Sequence, residues 1–394
     1  MDVRSLSEPY NMTFSTLFFY PRIGVDYGTL KGGFYFSNSD VLEKQSVFAG
    51  LLMNKDKDLD GFVIYEVRQF APTLFIEFYK QTRHEQIAGV DSGTTIHENP
   101  YELLDQERSF NLNEANLGLR YNINENQEVS FTARYNSYGG DYRATFKEYV
   151  HVNPDTAVAD IAFFKYTYFK GWDFILSWKN RSIRRTFDQE INPSSGHDIK
   201  FTYARLYHKF LDPTLDNPFE FREWGVQGIY RNYYYNRFTL DWEKYIPMPL
   251  HRHTLTVKLR AGLIDEPVYS FFNFFLGAFD GLRGYSYYSI EGRKMLMGRL
   301  TYRFPIFKNM GRQFFNLNFD KLYGAVFADA GDAWNEDKVD LWDFKRDVGA
   351  ELRLETYSFY AYPTRVFFQA AYGFDHPVKS ERWRLYFGVL FGFL

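Results

Sequence analysis

Apolar and polar residues alternate with a period of two in segment after segment of this chain. Counting back from Phe393, one face of the last segment carries Phe391, Val389, Phe387 and Leu385. The other carries Gly392, Leu390, Gly388, Tyr386 and Arg384. Segment 295–306 sets Leu296, Leu300, Tyr302, Phe304 and Ile306 against Arg299, Thr301 and Arg303. Segment 348–355 sets Val348, Ala350, Leu352 and Leu354 against Gly349, Glu351, Arg353 and Glu355. Segments 115–122, 129–136, 238–243 and 254–260 repeat the pattern. Successive side chains of a strand point to opposite faces, so each segment predicts a strand with one apolar side. Charged residues recur on the second side of most of them, as a wetted sheet face requires. Less regular strands are expected near 18–28, 31–38, 46–54, 61–69, 73–82, 161–169, 172–179, 200–210, 224–236, 322–330 and 364–373.

Two architectures fit a sheet with one wet face: a membrane barrel with a polar interior, and an open soluble sandwich. The strand count, the aromatic excess (42 Phe and 32 Tyr in 394 residues) and the apolar terminal strand favour the barrel. A membrane strand needs about 9–11 residues. At about 25 residues per strand with its connection, the chain accommodates about 16 strands. Short turns such as 122–127 alternate with long polar links at 84–109, 184–199 and 265–293, the outer-membrane arrangement. The expected fold class is therefore all-β: a transmembrane antiparallel β-barrel. Lipid offers no hydrogen bonds, so the last strand is expected to close the sheet against one near 18–28.

Other classes are excluded. The chain has no cysteine, hence no disulfide scaffold, thiolate metal site or Cys nucleophile. Its net charge of −3 lacks the basic excess of a nucleic-acid binder. No apolar run is long enough for a membrane helix. No leader-like segment opens the sequence, so we expect residues 1–17 to be a lead-in and 18–394 to be a barrel domain cut from the C-terminal part of a longer precursor. Asp56, Asp58, Asp60 and Gly61 spell D-x-D-x-D-G, but position twelve of a calcium loop would be Val67, so a polar hairpin turn is expected. His251 and His253 have no third ligand nearby and read as solvated rim residues. No nucleophile elbow, Walker sequence, zinc helix or dinucleotide fingerprint occurs. Neither enzymatic activity nor a metal or cofactor is expected.

One constellation is specific. Leu282-Arg283-Gly284-Tyr285 lies in the long 265–293 link, a strand ending in Arg303-Phe304-Pro305 follows, and Phe327-Ala328-Asp329-Ala330-Gly331 comes next. This ordered set resembles the [VI]-R-G-[FY] tetrad, R-F-P strand and F-x-D-x-G motif of the BamA-type outer-membrane barrel superfamily, also called the bacterial surface antigen family. Gly349-Ala350-Glu351-Leu352-Arg353 is similar to the strand after these. The resemblance covers roughly 277–394 and thins upstream to strand pattern. It implies that the tetrad loop folds into the lumen and that Arg283 contacts acidic wall residues, Asp329 first and Glu351 second. A guanidinium can bind a carboxylate with two parallel hydrogen bonds, more strongly away from water. Gly281 and Gly284 would let the loop approach the wall, while Phe279 and Tyr285 would pack its tip.

Three functions remain open at this point. The resemblance implies insertion, assembly or translocation of client polypeptides in the bacterial outer membrane, with outer-membrane lipid and lipopolysaccharide around the barrel and a periplasmic domain upstream. A barrel could instead anchor or export an upstream domain without client traffic. The third is a soluble, aromatic-rich protein that binds glycans.

Overall fold

The computed structural model describes residues 17–26, 29–87, 101–149, 157–222, 225–358, 362–375 and 382–391. The chain opens with five strands joined largely by short turns: β1 (Phe18–Asp26), β2 (Thr29–Ser39), β3 (Gln45–Met53), β4 (Leu59–Val67) and β5 (Thr73–Ile87). Three long strands follow, β6 (Tyr101–Asn124), β7 (Gln127–Tyr149) and β8 (Ala157–Ile183), then β9 (Gly196–Leu211). A small hairpin, β10 (Phe219–Arg222) and β11 (Gly225–Gly228), precedes β12 (Tyr230–Pro247) and β13 (Thr254–Ile264). The two-residue strands β14 (Phe274–Phe275) and β15 (Glu291–Gly292) pair inside the next connection. The rest are β16 (Lys294–Phe307), β17 (Arg312–Phe314), β18 (Leu317–Trp334), β19 (Lys345–Ser358), β20 (Tyr362–Gly373) and β21 (Trp383–Phe391).

Among the described residues, seventeen of these strands form one sheet, and β17 contributes only three residues to it. The expected count of about sixteen long strands therefore holds. The segments 161–169 and 172–179 are one strand, β8, and the expected strand at 224–236 divides between β11 and β12. The ladders between sequence neighbours are antiparallel, as in β5–β6, β12–β13 and β20–β21. No ladder joining β1 to β21 is seen among the described residues, so the closing seam stays an expectation.

The strands divide between two compact units. One holds β1–β5, β10, β11 and the parts of β6–β9 and β12 within Ser130–Ile175, Leu206–Tyr234 and residues up to Tyr121; the other holds the remainder through β21.

Within each unit the distribution of polarity is the reverse of a water-soluble protein. In the first, Leu117, Leu119, Tyr121, Phe131, Trp172 and Phe174 are exposed, whereas Asn116, Asn136, Asp173 and His208 are buried. In the second, Leu300, Val326, Leu352, Leu385 and Phe387 are exposed, whereas Thr301, Arg303, Asp329, Asp347 and Glu351 are buried. Charged residues are almost never fully buried unless paired, and a soluble protein rarely exposes large contiguous apolar surface. A sheet with lipid outside and a polar interior produces both features. β6, β7 and β8 have 24, 23 and 27 residues, well beyond the 9–11 a membrane strand needs.

Candidate functional site

The connection between β13 and β16 is built as a tight finger. Its base is the β14–β15 pair, continued by hydrogen bonds from Leu276 N to Ile290 O (2.9 Å) and from Ala278 N to Tyr285 O (2.9 Å). Leu282 N then donates to Leu276 O at 2.6 Å and closes the tip. Ala278 takes a left-handed φ of 68°, which turns the chain there at some cost in strain. Leu276 and Leu282 are fully buried, and Phe272, Phe274, Tyr285 and Ile290 nearly so. This buried apolar face, with Phe272 against Tyr235 and Phe274 under Arg237 of β12, keeps the finger from behaving as a loose loop.

The tip brings Arg283 against the wall. Arg283 Nε lies 3.2 Å from Asp329 Oδ2, and Nη2 lies 3.4 Å from Oδ1. The guanidinium also stacks 3.3 Å from the ring centroid of Phe327. The parity of β18 allows both contacts, because Tyr323, Ala325, Phe327 and Asp329 share its buried face while Val326 is exposed. Arg299, on β16 and in register with Asp329, donates from Nε to the same carboxylate at 2.9 Å and from Nη2 to Gly281 O. The neighbouring carboxylate Asp347 accepts from Gly284 N at 2.9 Å. Two guanidiniums thus converge on the one Asp329 carboxylate, the pairing that lets these charges be tolerated at low exposure. Burial and the like charge of Arg299 push Arg283 below the usual guanidinium value, against the pull of Asp329.

Gly284 has no room for a side chain: a Cβ would fall 2.6 Å from Gly373 N and 2.8 Å from Asp347 Cβ. Tyr285 Oη donates to Arg346 O at 3.0 Å, and Tyr386 Oη donates to Arg283 O at 2.7 Å. Phe279 stacks on Phe367 with centroids 5.2 Å apart. Arg260 on β13 holds Asp280 through two hydrogen bonds of 2.9 and 3.1 Å. These contacts come from six strands of the second unit: β13, β16, β18, β19, β20 and β21.

Glu351 acts on Arg283 through its charge rather than through a hydrogen bond. Arg303 Nη2 donates to it at 3.1 Å, and Arg353 and Gln369 are also in contact with it. Glu351 lies four residues along β19 from Asp347, and four strand residues span about 13 Å. Register therefore sets Glu351 across from Ala325, whose other neighbour is Arg303. Asp347, which the sequence reading passed over, occupies the nearer position. Phe304 and Pro305 continue β16 beyond this ion pair, with Phe304 stacked on His253 at 6.1 Å. Gly331 pairs with Met297. Leu385, Phe387 and Val389 form the exposed face of β21. Phe391 pairs with Thr364 through its backbone, and Phe393 lies outside the described residues.

Two weaker motifs also resolve. Residues 54–58 form the hairpin turn between β3 and β4, with Asp58 bound to Asn54 and His84 and Asp60 bound to Lys31 and Arg83. His251 and His253 sit in the turn between β12 and β13 rather than on a strand. There His253 Nδ1 meets Tyr302 Oη at 2.7 Å.

A second buried cluster carries no signal in the sequence. Asp188, in the connection between β8 and β9, receives Arg252 Nε at 2.5 Å and Nη2 at 2.8 Å. It also receives Tyr323 Oη at 2.8 Å, and Lys321 Nζ lies 3.3 Å away. Ile191 is fully buried, and Asn192 Nδ2 donates to Arg252 O at 2.9 Å. This connection joins its strands at the end opposite the Arg283 finger, since each strand reverses the chain direction. The second unit is thus braced at both ends of its polar face.

A family model described as the Omp85 superfamily domain matches residues 5–356. No curated protein matches the chain. Among solved structures, BamA from Haemophilus ducreyi lacking POTRA domains 1-3 is similar with a TM-score of 0.56 at 13% identity, over 97% of this chain and 70% of that one. CdiB from Escherichia coli gives 0.55 at 12% identity, over 97% and 63% of the respective chains. CdiB from Acinetobacter baumannii gives 0.51 at 12%, over 95% and 59%. This chain therefore spans less than two thirds of either CdiB chain. At such identities the likeness speaks for the fold, and that fold matches the inverted polarity of the sheet: an outer-membrane β-barrel. The family model covers most of the chain, and the chain belongs to the Omp85 superfamily.

Proposed function

We propose that this protein inserts or translocates polypeptides at the bacterial outer membrane, with residues 18–394 as its barrel domain and periplasmic modules upstream. The observation that carries this reading is the finger locked by Arg283 onto Asp329 and Phe327. A finger with a buried apolar face, gripped by six strands, is more than a plain pore or passive anchor needs. It fixes β16, β18 and β19 against β21, the strand whose edge would have to open sideways to admit a client. No catalytic chemistry is assigned: Asp329, Asp347 and Glu351 are all engaged by guanidinium, amide or backbone N–H groups. Nothing among the described residues supports a soluble glycan-binding protein, because its exposed faces would have to be polar.

The test is Arg283→Ala in the full-length protein, reconstituted in vesicles and challenged with a urea-unfolded eight-stranded outer-membrane barrel. Client folding is expected to fall severalfold while the variant still migrates faster on gels before boiling than after. Unchanged client folding, with altered stability or conductance alone, would favour an anchoring or exporting barrel instead.

A further inference from the structure

The first unit carries an amphiphilic site on its exposed face. Along β5 the exposed side chains run Leu74, Ile76, Phe78 and then Lys80. Along β6, read in the opposite direction, the same face carries Tyr121, Leu119, Leu117, the half-buried Ala115 and then Asn113. Lys80 and Asn113 are register partners, so the apolar band ends at one height on both strands. β7 agrees, with Phe131, Ala133 and Tyr135 below and Ser137, Gly139 and Asp141 above. The polar end lies away from the short β6–β7 turn, on the side of the β5–β6 and β7–β8 connections; the long-loop rim of an outer-membrane barrel faces the cell exterior.

Two recesses meet at this boundary. Below it, a groove of about 370 Å³ is lined by Leu51, Gly61, Val63, Phe78, Ala115 and Tyr135. Gly61 makes the groove. It sits between Leu51 and Lys80 in register, and a Cβ there would meet nothing closer than Leu51 Cδ1 at 3.5 Å and Gly50 O at 3.9 Å. Above the boundary, a cleft of about 490 Å³ is lined by Asn111, Ser137, Asp141, Lys165, Lys170 and Tyr230. Asn113 borders both recesses. Lys165 Nζ lies 3.7 Å from Asp141, and Lys170 Nζ lies over the Tyr230 ring at 4.6 Å.

We infer that these recesses form one binding site for a phosphorylated glycolipid of the outer leaflet, with acyl chain in the groove and phosphosugar in the cleft. The inference rests on reading the exposed apolar face as lipid-facing. The groove is apolar and lies within that face, so its occupant is hydrocarbon. The cleft begins where hydrocarbon ends, and Lys80, Lys165 and Lys170 there suit phosphate groups. Its amides, hydroxyls and tyrosine ring suit a sugar, whose hydroxyls need many donors and acceptors. A glycerophospholipid would use the groove and Lys80 but leave the cleft with Lys165 and Lys170 empty.

Native mass spectrometry of the folded full-length protein in detergent tests this. The probes are bisphosphorylated lipid A, its dephosphorylated form and phosphatidylglycerol. Bisphosphorylated lipid A is expected to bind one per chain, about tenfold more tightly than either other probe. Lys165→Glu with Lys170→Glu should weaken it about tenfold without changing phosphatidylglycerol binding. Gly61→Trp, which fills the groove, should weaken both lipids. Equal binding of the three probes, or glycolipid binding indifferent to the lysine pair in a folded barrel, overturns the inference. A protein that needs no detergent and does not shift on boiling would overturn the barrel reading itself.

Discussion

Arg283 lies flat on Phe327, its guanidinium carbon 3.3 Å from the ring centroid. The same guanidinium bonds a carboxylate with zero side-chain exposure. Cation–π stacking is worth about 2 kcal/mol when desolvated, and removing one partner of a buried ion pair costs about 3–5 kcal/mol. Arg283→Ala should therefore lower barrel stability by about 3 kcal/mol, read as a lower urea midpoint for the gel-mobility shift. Arg283→Lys should rescue little, because an ammonium cannot bond Asp329 through two nitrogens and stack at once. Full rescue by lysine would show that charge alone matters.

Gly284 gives a sharper test of the finger's fit. Gly284→Ala adds one methyl, yet that methyl meets the Gly373 backbone. The finger should lift from the wall, and a cysteine introduced at Ser286 should label at least tenfold faster in this variant than in a Ser286→Cys control. Equal labelling would place the finger elsewhere in the membrane-embedded protein.

The Asp188 cluster predicts energetic coupling across 64 residues of sequence. Asp188→Ala and Arg252→Ala should each destabilise the protein. Their double-mutant cycle should return a coupling above about 1 kcal/mol, as contacting residues in one network do. Additive effects would mean the contact contributes no stability.

Acid should loosen the β3–β4 turn. Burial alone would raise Asp58, but hydrogen bonds from His84 and Asn54 hold it below its ordinary value of 3.8. A depressed carboxylate contributes stability above its unfolded value and loses it as pH falls through the lower folded value. The wild type should therefore lose stability below about pH 4, and Asp58→Asn should flatten that limb. Stability scans from pH 5 downward, followed by gel mobility, check the sign.

The exposed face of β21 should tolerate apolar exchange but not charge. Leu385→Arg is expected to cost about 2–4 kcal/mol if it lies near the bilayer midplane and less toward either interface. Leu385→Ile should cost under about 1.5 kcal/mol. Indifference to arginine would mean that Leu385 faces water.

The sequence by itself determined the strands and their faces. Alternation follows from backbone geometry alone, so Leu385, Phe387 and Val389 separate from Arg384 and Tyr386 wherever β21 packs. The resemblance carried by its ordered motifs also pointed to Arg283 and Asp329, because a short ordered motif survives without knowledge of register. Only the tertiary structure decided which carboxylates stand beside the finger. Moving two same-face positions along β19 exchanges Asp347 for Glu351, and that choice depends on register through neighbouring ladders. Asp188 and Arg252, or Gly61 and Lys80, come together for the same reason. Their proximity is fixed by how strands align across the sheet, which no local pattern encodes.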